Sequence, residues 1–125
     1  MDYLVIVRTG WVFLADEFRS HLHQRWPTVR LEEVQNPEDN DVLAFEVPKE
    51  RRWLYGSLSR DGNAVIFSGE LEDCAEFAQW CRSLIPADQE VLFCDEAMNT
   101  SLILEPGTTP EEIFQAVVAS YGGER

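Results

Sequence analysis

The chain has 125 residues and a formal net charge of −13 at pH 7, with 23 Asp and Glu against ten Lys and Arg. That length suits one domain over residues 1–125 with a real core, and 45% hydrophobic residues, four Trp and seven Phe among them, exclude a disordered acidic tail. The apolar runs Leu4–Val7 and Trp11–Ala15 fall far short of the ~20 residues of a membrane span, and Met1-Asp2-Tyr3 has no basic leader, so a cytoplasmic protein with no membrane partner is expected.

Tyr3 to Arg8, rich in β-branched and large apolar residues, reads as a buried strand that Thr9-Gly10 breaks. From Trp11 the period changes: Leu14, Phe18, Leu22 and Trp26 recur every fourth residue, which predicts an apolar helical stripe closed by Pro27. Val29 to Val34 is a polar-flanked strand, interrupted by Glu32-Glu33, and residues 36–41 are a loop dense in turn formers. Val42 to Val47 is the third strand. Trp53 to Ser59 and Ala64 to Ser68 flank Arg60-Asp61-Gly62-Asn63, whose Asp-Gly and Gly-Asn pairs tolerate the positive φ of a tight hairpin turn.

Ser68-Gly69-Glu70 introduces a second helix with Leu71, Cys74, Ala75, Ala78, Cys81 and Ile85 on its apolar face. Phe77, Trp80 and Leu84 widen that face enough to predict burial on more than one side. Val91 to Cys94 and Ser101 to Leu104 are short strands around residues 95–100. Thr109-Pro110-Glu111-Glu112 combines a capping box with Pro at the first helical position and opens a last helix, which buries Ile113, Ala116, Val117 and Tyr121 and ends at Gly122-Gly123. The order β-α-β-β-β-β-α-β-β-α predicts an α+β domain, a mixed and largely antiparallel sheet with helices packed on one or both faces.

No residue pattern indicates catalysis or a cofactor. His21 and His23 diverge on one helix and cannot share a metal. The loop of residues 36–41 resembles a calcium loop in composition alone, lacking the central Gly and terminal Glu of an EF-hand. There is no nucleophile elbow, and Gly122-Gly123 follows a helix, where it cannot cradle phosphate. Three cysteines, an odd number, agree with a reducing compartment. Cys74 and Cys81 lie about 10 Å apart along a helix, too far for a disulfide, and the carboxylates beside Cys94 oppose a thiolate there.

The charge is unevenly distributed. Residues 61–124 carry thirteen carboxylates and one basic side chain, Arg82, whereas residues 1–60 carry ten acids against eight Lys or Arg. Such a balance opposes direct nucleic-acid binding, which depends on cations that neutralise phosphates, and the cluster Lys49, Arg51 and Arg52 beside Trp53 fits strand-end solubility. Carboxylates in a first helical turn complement the macrodipole by ~0.3–1 kcal/mol each, which accounts for Glu70, Glu72, Asp73, Glu76, Glu111 and Glu112 but not for Asp88, Glu90, Asp95, Glu96 and Glu105. A basic partner is therefore expected at the second helix and the Asp95 turn, through Glu72, Asp73, Glu76, Asp95 and Glu96.

Across the segment FSGELEDCAEFAQWCRSLIP (residues 67–86) and Asp95-Glu96 with SLILEPGTTPEEI (residues 101–113), the chain resembles the immunity proteins of bacterial toxin systems in size, acidity and pattern. The resemblance implies a non-enzymatic protein that binds and neutralises a cognate toxin domain, often a basic nuclease, inside the producing cell. Two other readings stay open: a nucleic-acid mimic that blocks a DNA- or RNA-binding protein through an extended acidic stripe, and a small ligand-binding module with a deep polar pocket.

Overall fold

Buried and half-buried residues alternate along residues 2–7, 42–48 and 64–68, the two-residue period of a pleated sheet with one covered face, whereas residues 91–95 are buried throughout. The computed structural model describes residues 1–122. It contains β1 (Asp2–Val7), α1 (Ala15–Arg25), β2 (Arg30–Glu33), β3 (Asp41–Pro48), β4 (Trp53–Ser59), β5 (Ala64–Ser68), α2 (Leu71–Ser83), β6 (Val91–Asp95), β7 (Ser101–Ile103) and α3 (Pro110–Gly122). The class is α+β and the element order is the expected one; Gly123, expected to help end the last helix, lies outside the described residues.

The seven strands form one sheet in the order β2-β3-β4-β5-β1-β6-β7, antiparallel at every pairing. β2 to β5 are a meander. α1 carries the chain from β1 to the far edge, and α2 links β5 to β6 across β1, against which it packs. On β1, Tyr3, Val5 and Val7 stand opposite Asp95, Phe93 and Val91 of β6 on the covered face. Residues of all three helices join that face in one core. The other face, with Leu4, Ile6, Ile66 and Tyr55, contributes nothing to this core and has no helical layer.

Phe77 of α2 sits at the centre of the core, fully buried, with its ring centroid 4.9 Å from Phe67, 5.3 Å from Trp80, 5.5 Å from Phe45 and 5.6 Å from Trp26. These contacts join two strands, β3 and β5, to α2 and the C-cap of α1 through aromatic pairs worth ~0.5–1.5 kcal/mol each beyond the area they bury. Cys74 and Cys81 lie in the same core as free thiols.

The first helix begins later than its apolar spacing predicts. Leu14 is its N-cap residue in extended conformation and is 56% exposed, while Phe18, Leu22 and Trp26 are buried as expected. The cause is tertiary. Gly62 turns the β4–β5 hairpin with φ +78° and accepts a 2.7 Å hydrogen bond from the Phe13 N–H, which holds the segment before α1 extended against the hairpin tip. A side chain at Gly62 would meet the Phe13 carbonyl, so this close approach depends on glycine.

Candidate partner-binding surface

The starts of α2 and α3 concentrate exposed carboxylates for local reasons. α2 opens with Glu72 and Asp73 in its first turn and Glu70 at its N-cap, where acidic side chains complement the unpaired N–H groups. α3 opens through the predicted capping box, formed in both directions: the Glu112 N–H donates to Thr109 Oγ1 at 3.1 Å, and the Thr109 N–H donates to Glu112 Oε1 at 2.9 Å. Between the two helix starts lies an open depression of about 320 Å³. It is lined by Ala75, Pro110 and Phe114 together with the exposed carboxylates Glu72 and Glu111. Two carboxylates beside an apolar lining suit a long basic side chain, whose stem can lie on Phe114 while its charged head meets the acids.

The structure separates the five residues expected to bind a partner. Glu72 is exposed on the depression. Asp73 is half-buried and accepts from Arg52 Nε at 2.9 Å, and Glu76 accepts from Lys49 Nζ at 2.8 Å. Lys49 and Arg52 of the β3–β4 turn thus dock on α2 and neutralise part of its acidity; with one member of each pair open to solvent, these contribute about 1 kcal/mol or less each. Glu96 is exposed beyond β6, and its Oε1 accepts the Asp2 N–H at 3.2 Å.

Asp95 requires a correction, because its exposure is zero and no partner could touch it. It points to the helix side of the sheet, in register with buried Tyr3. Its carboxylate accepts the Tyr121 hydroxyl and, at 3.1 Å, the Thr100 N–H. Asp95 therefore serves the surface indirectly, by tying down the last turn of the helix that carries Glu111 and Phe114. Those two residues were missed in the sequence. Glu111 looked like ordinary helix-start chemistry, and Phe114 lies beside the Ile113–Val117 stripe; an aromatic half off such a stripe was the available signal.

The only basic side chain of residues 61–122, Arg82, is also withdrawn from the surface, at 2% exposure. Its guanidinium donates to the carbonyls of Leu104 (2.8 Å), Ile85 (2.9 Å), Pro86 (3.4 Å) and Ala87 (3.4 Å), closing the end of α2. Of the twelve carboxylates in residues 61–122, only Asp95 is buried, so eleven reach solvent with no exposed cation from the same segment. Arg52, Lys49 and Arg8 answer three of them from the other half, Arg8 reaching Glu90 at 3.4 Å.

Other chemistry finds little footing. Among the described residues, no group of three or more His, Cys, Asp or Glu converges to hold a metal ion. In the loop of residues 36–41, the carbonyls of Asp39, Asn36 and Asp41 already accept from the Arg60 guanidinium at 2.8, 2.9 and 3.0 Å, so a side-chain cation occupies the place a metal would take. The three free thiols are buried. Burial, with Asp73 adding, pushes Cys74 up to about 12, and burial raises Cys81 and, together with Asp95, Cys94. No helix among the described residues is long and apolar enough to cross a membrane. Compared with known proteins, the chain matches no protein-family model, no curated protein and no solved structure.

Proposed function

We propose that this protein is a non-catalytic binding protein that captures a basic protein partner, acting as an immunity protein acts on its toxin. The observation that carries the reading is the one-signed surface of residues 61–122, eleven solvent-reaching carboxylates with their one cation buried. Self-repulsion of that kind opposes folding, and it is offset when a partner brings positive charge. The depression between α2 and α3 supplies the compact patch with an apolar centre on which a buried anchor from the partner can rest. A phosphate-like track would need an unbroken line of carboxylates; here Arg52, Lys49 and Arg8 pair with Asp73, Glu76 and Glu90 and favour the compact patch.

The test begins with capture of the partner from the cells that make the protein, followed by association kinetics with both proteins purified. The rate should fall steeply between about 50 and 300 mM salt, as expected for steered encounters. Paired substitution Glu72→Lys and Glu111→Lys should slow association about tenfold and leave the circular dichroism spectrum unchanged. A rate indifferent to both salt and charge reversal would sink the reading, as would stoichiometric copurification of a small metabolite in place of a protein.

A further inference from the structure

The two edges of the sheet differ in a way that bears on how a partner attaches. β2 has the sequence Arg-Leu-Glu-Glu, and Arg19 of α1 reaches over to its Glu33 at 3.1 Å. Charged side chains and a covering contact are the usual devices that keep an edge from pairing with another chain. β7, the opposite edge, reads Ser-Leu-Ile and has no charged residue. Ser101 and Ile103 are both exposed, Ile103 by 42%.

The β7 backbone is also open for bonding. Opposed residues of an antiparallel pair alternate between exchanging both hydrogen bonds and exchanging none. The Leu104 N–H donates to the Val91 carbonyl at 2.8 Å, and the Asp95 N–H donates to the Thr100 carbonyl at 3.4 Å. With Leu102 opposite Phe93, residues 100, 102 and 104 face β6, and the N–H and C=O groups of Ser101 and Ile103 face outward. Nothing else among the described residues hydrogen-bonds to those outward groups.

The charge around this edge selects its occupant. Beside it lies a depression of about 430 Å³ lined by Asp88, Gln89, Glu90, Ile103, Leu104 and Glu105, and exposed Glu96 lies beyond the other end of the hairpin. Glu90 is answered by Arg8, whereas Asp88, Glu96 and Glu105 form no ion pair among the described residues. A second copy would bring the same carboxylates and a further −13 of charge to the contact. A strand with basic flanks brings the opposite sign.

We infer that β7 is a strand-addition site: the basic partner of the proposed function pairs an extended, Lys- or Arg-flanked segment with the outward backbone of Ser101 and Ile103. Main-chain bonds hold the segment, and Asp88, Glu105 and Glu96 select its flanks. This inference rests on the reading of the protein as a binder of a basic partner, and it names the part of that partner which docks.

The probe is a synthetic strand of alternating Val and Thr with a Lys pair at each end, together with its Glu-flanked counterpart. Hydrogen exchange on the intact wild-type chain should show the Ser101 and Ile103 amides slowed at least about tenfold by the Lys-flanked strand and unchanged by the Glu-flanked one. Ile103→Pro removes an outward donor without touching the bonds to β6, since proline is tolerated on an edge whose N–H faces solvent. It should abolish binding of the Lys-flanked strand and weaken capture of the natural partner about tenfold while the thermal melt stays cooperative. Should that variant misfold, the exchange result on the wild-type chain decides alone. If neither amide is protected while Glu72→Lys with Glu111→Lys still slows partner association, the edge inference is overturned and the proposed function stands. If both experiments are blank, both fall. A wild-type dimer in sedimentation that becomes monomeric with Ile103→Pro would assign the edge to a second copy and overturn the inference.

Discussion

Arg82 is held by carbonyl oxygens, with no carboxylate among its bonds, and it closes the end of α2 against the residue that follows β7. Arg82→Met keeps the aliphatic volume and strips the Leu104 and Ile85 carbonyls of their donor. The expected loss is about 3 kcal/mol, read from the midpoint of denaturant unfolding, because each orphaned buried acceptor loses its desolvation compensation. Arg82→Lys should recover less than half of it, since one ammonium cannot span carbonyls that a planar fork reaches together. A loss below about 1 kcal/mol would mean that water takes over the bonds. None of this was legible in the sequence, where Arg82 is the lone cation of an acidic half: Ile85, Pro86 and Ala87 accept from it only because the chain turns back just after α2, and its shortest bond goes to Leu104, 22 residues away.

Among the elements, α3 shows most plainly what local sequence determines and what it leaves open. Its start follows from neighbours three residues apart, and the Thr109–Glu112 box formed as the spacing predicts. Its far end depends on a long-range bond between Tyr121 and the buried Asp95 carboxylate. Tyr121→Phe should cost about 1.5–3 kcal/mol, the range for hydrogen bonds to charged groups. Amide exchange should show the last turn of α3 opening before the first; uniform opening would mean that packing of Ile113 and Val117 alone holds the helix. The β4–β5 hairpin was equally readable, because its turn is a matter of backbone torsion at Gly62. The start of α1 was not, because the apolar spacing from Leu14 continues past the point at which the Phe13 N–H is committed to Gly62.

Across the whole molecule, the uneven charge along the chain is partly redistributed by folding. The basic turn of residues 49–52 lands on the acidic start of α2, so Asp73 and Glu76 are answered from the other half of the sequence. Of the eight solvent-reaching carboxylates of residues 61–122 that remain unanswered, Glu72 and Glu111 line the depression between the helices and Asp88, Glu96 and Glu105 lie around the β7 edge. The class and the order of elements were legible because hydrophobic period and turn chemistry are local. Strand order, the second face without a helical layer and the depression between α2 and α3 arise from contacts between distant segments, so composition alone could place none of them.

The burial of Arg82 also makes the chain its own unfolding clock. Trypsin cuts only after Lys and Arg, and between Arg60 and Gly122 it has one target, buried at 2% exposure under the end of α2. Native digestion should therefore nick exposed sites such as Arg51 and Arg60 while leaving everything beyond Arg60 in one piece. Cleavage at Arg82, followed by the mass of its fragments, should track the opening of α2 from the sheet in rising denaturant. Cutting there while α2 amides are still protected would contradict the buried placement of that side chain.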